Sequence, residues 1–196
     1  IPLQERNSKY FDTADIIAIR DAVIALATVV LPKHRVIWGG HPSITPIINH
    51  VMERLGFSIQ EHVLLYQSRF FEKHFPEDNN RFQNVIFTEN TLEKDSSLLL
   101  MRKQMFSENT FVAGVFIGGM EGIEDEYRLF RKFHPEAIVL PVASTGAASK
   151  NSGAAYPGWG DQKFAEPGGA PPPNRRGRPA GCARRGYRDP AAPGGG

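Results

Sequence analysis

The sequence predicts an α/β fold in which a mostly parallel sheet lies between layers of helices. Two observations carry this. Short β-branched and aromatic runs alternate with segments of helical apolar spacing, and two of those runs end in a glycine pair that leads into a helix.

Residues 13–31 are predicted as the first helix, because Ile16, Ile19, Val23, Leu26 and Val30 recur at three- and four-residue steps. Asp12 or Thr13 can cap it and Pro32 stops it. Its apolar stripe is wide, which suits a helix packed against a sheet. Arg35-Val36-Ile37-Trp38 is a short apolar strand ending in Gly39-Gly40. A second helix follows, with Thr45 as N-cap, Pro46 in the first position, a core face of Ile48, Val51, Met52 and Leu55, and Gly56 at its end.

His62 to Tyr66 is the next strand, followed by a polar-aromatic segment through Phe75, and Asn84 to Thr88 is another. Leu98 to Phe106 belongs to a helix. Phe111 to Ile117, the most β-like run, ends in Gly118-Gly119, and Ile123, Tyr127 and Phe130 mark the helix after it. Ala137 to Val142 is the last buried strand. Strands alternating with helices in this order make a Rossmann-like three-layer sandwich.

Composition divides the chain. Of 196 residues, 23 are Lys or Arg and 21 Asp or Glu, yet residues 149–196 hold 8 of the basic residues and only 3 of the acids. Residues 1–148 therefore carry 15 basic against 18 acidic residues, a formal charge of −3. The basic pI of about 8.8 belongs to the tail, and a globally basic nucleic-acid-binding domain is not expected. Over residues 165–196, 27 of 32 positions are Gly, Ala, Pro or Arg, a composition that buries too little apolar surface to offset ordering entropy. The expected organisation is a ligand-binding domain over 1–148 and a disordered Gly/Pro/Arg-rich tail over 149–196. The abrupt switch has the composition of a shifted reading frame or an assembly artefact.

Cys182 is the one cysteine, so intrachain disulfides and cysteine-rich metal sites are excluded. No apolar run reaches the roughly 20 residues needed to span a bilayer, and no signal peptide is expected. The expected compartment is the cytoplasm. No membrane partner, metal or cofactor is expected.

The chemistry concentrates at the two strand–Gly-Gly–helix junctions. In the first, Gly39, Gly40, His41, Ser43 and Thr45 combine close backbone approach, hydroxyls and a helix start with no carboxylate, which suits a phosphate. The same string also suits a tight turn with a routine cap. In the second, Gly118, Gly119, Met120, Glu121 and Gly122 precede Ile123-Glu124-Asp125-Glu126. Four acids there repel a phosphate and welcome ribose hydroxyls, an amine or a cation; the alternative is that they only complement the helix dipole. Both turns belong at the carboxyl ends of strands, where ligands bind in such sheets. Phosphate at one and ribose at the other describe a nucleotide site.

Five stretches carry a family resemblance: Lys9 to Asp15, Trp38 to Pro46, Tyr66 to Phe71, Gly114 to Gly122, and Leu140 to Gly146. They resemble the SLOG superfamily and, more specifically, its TIR- and PNP-associating family. The resemblance implies a sensor module that binds a nucleotide or nucleotide-derived signal and controls a fused or downstream TIR or purine-nucleoside-phosphorylase-like effector in bacterial antiviral defence. It adds Gln67, Ser68 and Thr145 to the candidate ligand-binding residues. Related LOG hydrolases cleave the N-glycosidic bond of nucleoside monophosphates with a Gly-Gly-x-Gly-Thr-x-x-Glu motif, which places Glu126 on the ribose-contacting glutamate. Here one extra residue follows the glycine pair and Ile123 replaces the threonine, which favours binding without turnover. The resemblance also implies a strand ahead of Ile1-Pro2, so the first strand is expected to be truncated.

Other features carry less. Arg69 offers a phosphate contact or lies in an ordinary exposed turn, and His41 is a ligand contact or merely orients its turn. Phe70, Phe71, Phe75, Phe130 and Phe133 suit a core or a homo-oligomer interface. Arg175-Arg176-Gly177-Arg178-Pro179 is similar to a minor-groove hook, but in a tail of four residue types such a string arises by chance, so nucleic acid is not the expected partner.

Overall fold

The computed structural model describes residues 8–56 and 59–150. The elements are α1 (Ser8–Phe11), α2 (Ile16–Val30), β1 (Val36–Gly39), α3 (Thr45–Leu55), β2 (Val63–Ser68), β3 (Val85–Thr88), α4 (Lys94–Ser107), β4 (Ala113–Ile117), α5 (Glu121–Phe133) and β5 (Ile138–Val142). Short 3-10 turns occupy Arg69–His74, Glu77–Arg81 and Ala143–Thr145. Ile1-Pro2, the tail beyond Lys150, the Arg175–Pro179 string and Cys182 lie outside the described residues.

The strand pairing among the described residues is parallel throughout, as the strand–helix alternation predicts. Among the described residues it forms two sheets, β1–β2–β3 and β4–β5. Val63 and Leu65 of β2 join one apolar cluster with Val23 and Ala27 of α2 and Ile48, Val51 and Met52 of α3. Tyr66, from the opposite face of β2, joins a second cluster with Met101, Met105 and Phe106 of α4, Phe116 of β4, and Tyr127 and Phe130 of α5. Side chains alternate across a strand, so a continuous apolar run means burial on both faces, with α2 and α3 over one and α4 and α5 over the other. The fold is α/β and Rossmann-like.

The two sheets share both helical layers. Ile117 of β4 packs into the first cluster beside Val36 and Trp38 of β1, and Ile37 of β1 packs into the second beside Phe116. Even so, no ladder joins β1 to β4 among the described residues, and β1 is only half-buried along its length.

Three expectations need correction. The first long helix begins at Ile16, and its cap is Asp15, whose carboxylate accepts the Ala18 N–H at 2.9 Å. Thr13 is not available as a cap because its hydroxyl accepts the Ala147 N–H. Thr45 is inside α3 and does not cap it; Ile44 stands in the cap position, and the Ile44 and Thr45 N–H groups both donate to the His41 carbonyl at 3.0 Å. The strand predicted to end at Tyr66 continues to Ser68, because Gln67 and Ser68 pair in register with Phe87 and Thr88 of β3.

Candidate functional site at two glycine turns

The first junction follows β1. Gly40 donates its N–H to the Tyr66 carbonyl at 2.7 Å, and the amide end of Gln67 lies over it, closely enough that any Cβ at Gly40 would strike Gln67. His41 organises the start of α3. Its Nδ1 accepts the Ser43 N–H at 3.1 Å while its carbonyl takes the next two amides. An acceptor Nδ1 needs the neutral ring. The ring has exposed surface, but desolvation by the protein packed around it holds its pKa below the ordinary 6.5. The Gly40, Ser43, Ile44 and Thr45 N–H groups are thus bonded within the chain, and Pro42 and Pro46 have none, which leaves little of this turn for a phosphate to draw on.

The other first-turn candidates divide by exposure. Ser43 is exposed, whereas Thr45 is fully buried and its hydroxyl accepts the Trp38 indole N–H at 3.3 Å. Gln67 and Ser68 are buried, and Ser68 Oγ accepts the Phe70 N–H at 3.3 Å. Arg69 is paired with Glu72 at 3.1 Å and lies over the Phe87 ring.

The second junction follows β4. Gly118 and Gly119 adopt φ of 55° and 82°, the left-handed region that side chains disfavour. Ile123 lies against Gly119, at the position where a hydrolase-type motif has threonine. Met120 stands in the N-cap position of α5 and packs with Tyr10. Thr145 is fully buried, and its hydroxyl accepts the Gly118 N–H at 2.8 Å while donating to the Val142 carbonyl. Thr145 therefore positions the turn.

The acids of this junction are not an open negative field. Glu124 accepts from Tyr10 Oη at 2.8 Å and pairs with Lys9 at 3.1 Å, and Asp125 pairs with Arg128 at 2.7 Å. Glu126 pairs with Arg102 of α4, Nε to Oε1, at 3.1 Å. Glu121 is exposed on the first turn of α5. A quarter of the Glu126 side chain meets solvent, but protein surrounds its carboxyl, and this desolvation pushes its pKa above 4.5 against the pull of Arg102.

Arg102 is the residue that sequence reasoning missed. It is 9% exposed and reaches Gly122, where a Cβ would stand 2.8 Å from Nη2. Among the described residues only its Nε is engaged, which leaves the two Nη groups as donors. The preceding residue, Met101, touches Gly39, whose Cβ position lies 2.8 Å from Cε. Consecutive residues of α4 thus contact both glycine turns. The signal was present as Met101-Arg102 on the buried face of a predicted helix, but nothing local marks that arginine as buried.

The SLOG cluster3 family matches residues 9–159. The chain belongs to the SLOG cluster3 family. Membership in SLOG cluster3 supports a nucleotide-related function in general terms. The finer TIR- and nucleosidase-associated grouping rests on motif resemblance alone. No curated protein and no solved structure matches the chain. Among the described residues, no three His, Cys, Asp or Glu side chains are grouped to hold a metal ion, and no helix is long and apolar enough to cross a membrane.

Proposed function

We propose that this SLOG cluster3 domain is a sensor that binds a nucleotide or nucleotide-derived signal across the two glycine turns. The observation that supports it is α4, which places Met101 at Gly39 and the half-engaged guanidinium of Arg102 at Gly122. A guanidinium with two open Nη donors beside a helix start suits a phosphate oxygen, and Glu126, which uses only Oε1 on Arg102, suits a ribose hydroxyl. This moves the phosphate from the first turn to the second, because Glu124 and Asp125 are internally paired and the Ser43, Ile44 and Thr45 amides of the first turn are spent on His41. In its finer form, the ligand controls a fused or downstream TIR or purine-nucleoside-phosphorylase-like effector in bacterial antiviral defence.

Calorimetric titration of the full chain with AMP tests binding. Saturable uptake, weakened by Gly118→Val, with AMP recovered intact, is the expected result; no uptake of AMP or of larger adenosine nucleotides removes the proposal. A LOG-like hydrolase is the second reading, favoured by the Arg102–Glu126 pair next to the glycine turn. Ile123 opposes it by placing an aliphatic chain against Gly119 where that motif has a hydroxyl. Release of free adenine, lost in Glu126→Gln, would establish hydrolysis instead.

A further inference from the structure

Residues 145–149 hold the second glycine turn from one side and the α1–α2 junction from the other. Besides the Gly118–Thr145 bond, the Ala148 N–H donates to the Gly119 carbonyl at 3.1 Å and the Ser149 N–H to the Gly118 carbonyl at 3.2 Å. The Ser149 hydroxyl reaches the Phe116 carbonyl at 3.0 Å and the Gly118 carbonyl at 3.1 Å. On the opposite side the Asp15 N–H donates to the Thr145 carbonyl at 3.2 Å and the Ala147 N–H to Thr13 Oγ1 at 2.9 Å. A helical turn starts at Ala147 and leads into Lys150.

This contact is made under strain. Ala147 is fully buried at φ 52°, a conformation that a residue with a Cβ adopts only when its surroundings enforce it. Glycine would relieve the strain without removing any hydrogen bond, because both bonds through Ala147 and Ala148 are made by backbone N–H groups. The segment is thus fastened to the turn by at least five hydrogen bonds and loaded by one unfavourable backbone angle.

We propose that residues 145–149 are a strained latch: the Gly118-Gly119 turn and this segment open and close as one unit, so that ligand at the turn changes the helical turn that starts at Ala147. The proposal rests on ligand binding at the second turn. A phosphate that draws on the turn's amides competes with Thr145 for the Gly118 N–H, and relaxation of Ala147 favours the open form.

Amide hydrogen exchange on the full, ligand-free chain tests the latch without any ligand. Ala147→Gly is expected to slow exchange at Gly118, Ala148 and Ser149 together, by about fivefold to tenfold. Thr145→Val is expected to speed all three. Slowing confined to Ala148 and Ser149, with Gly118 unchanged, overturns the proposal, and Ala147→Gly alone decides the matter if Thr145→Val does not fold. With AMP added, exchange at Ala148 and Ser149 is expected to shift with the binding midpoint. AMP binding without that shift overturns the latch and leaves the nucleotide site standing. If AMP does not bind, the nucleotide site falls, and the ligand-free variants still decide whether the latch exists.

Discussion

Arg102 Nε lies 3.1 Å from Glu126 Oε1 and joins α4 to α5 beside Gly122. Removing one partner of such a pair strands the other charge. Arg102→Met is expected to cost about 2–3 kcal/mol, below the ~3–5 kcal/mol of a fully enclosed pair because part of Glu126 meets water. Adding Glu126→Leu is expected to recover most of that stability without restoring AMP binding. Denaturant unfolding and calorimetry on the single and double variants separate the two effects.

The same carboxyl gives a pH dependence. Desolvation raises the Glu126 pKa in the folded state, so the fold binds this proton more tightly than the unfolded chain does. Its unfavourable contribution is present at neutral pH and is relieved as pH falls through the raised value toward 4.5. The Tm difference between wild type and Glu126→Gln is therefore expected to move in favour of wild type over that window, and to stop changing below it.

His41 has the opposite sign. Its folded pKa is lowered by desolvation, so the stability from its neutral ring is complete above 6.5 and is lost as pH falls through the lowered value. His41→Ala is expected to cost about 0.5–1 kcal/mol at pH 8, the scale of a helix-cap acceptor. The gap to wild type should narrow in thermal melts at acid pH.

Two glycines should respond very differently to alanine. Gly56 ends α3 at φ 63° with open space around its Cβ position, so Gly56→Ala is expected to cost only about 1 kcal/mol of left-handed strain. At Gly146 a Cβ would lie 1.6 Å from the Thr13 carbonyl oxygen, which is backbone and cannot swing aside. Gly146→Ala is expected to lose ~3 kcal/mol or more, or to prevent folding. Circular-dichroism melts distinguish the two.

Most of the fold is legible in the sequence because local periodicity and burial agree. Val23 of α2, Ile48 of α3 and Phe130 of α5 are marked by spacing and are buried. Capping is less legible, since a cap depends on which hydroxyl or carboxylate is spared by distant contacts: Thr13 is taken by Ala147, which leaves the role to Asp15. The glycine turns are legible as backbone features, but their electrostatics are not. Glu124, Asp125 and Glu126 count as bare charge in the sequence, whereas their neutralising partners Lys9, Arg128 and Arg102 come from three different helices. Thr145 stands out as a candidate by motif, and what its hydroxyl holds becomes visible only with the turn it supports.

Among the described residues β1 and β4 lie in different sheets, and this bears on how the two glycine turns are connected. Each sheet is internally bonded, and among the described residues the two are connected by side-chain packing under α2 and α4 and by the Asp15 N–H on the Thr145 carbonyl. Backbone hydrogen bonds resist separation by direction and length, whereas packed side chains tolerate sliding. One glycine turn follows β1 and the other follows β4, so a ligand bridging the turns would tie the two sheets together and add its binding free energy to the stability of both.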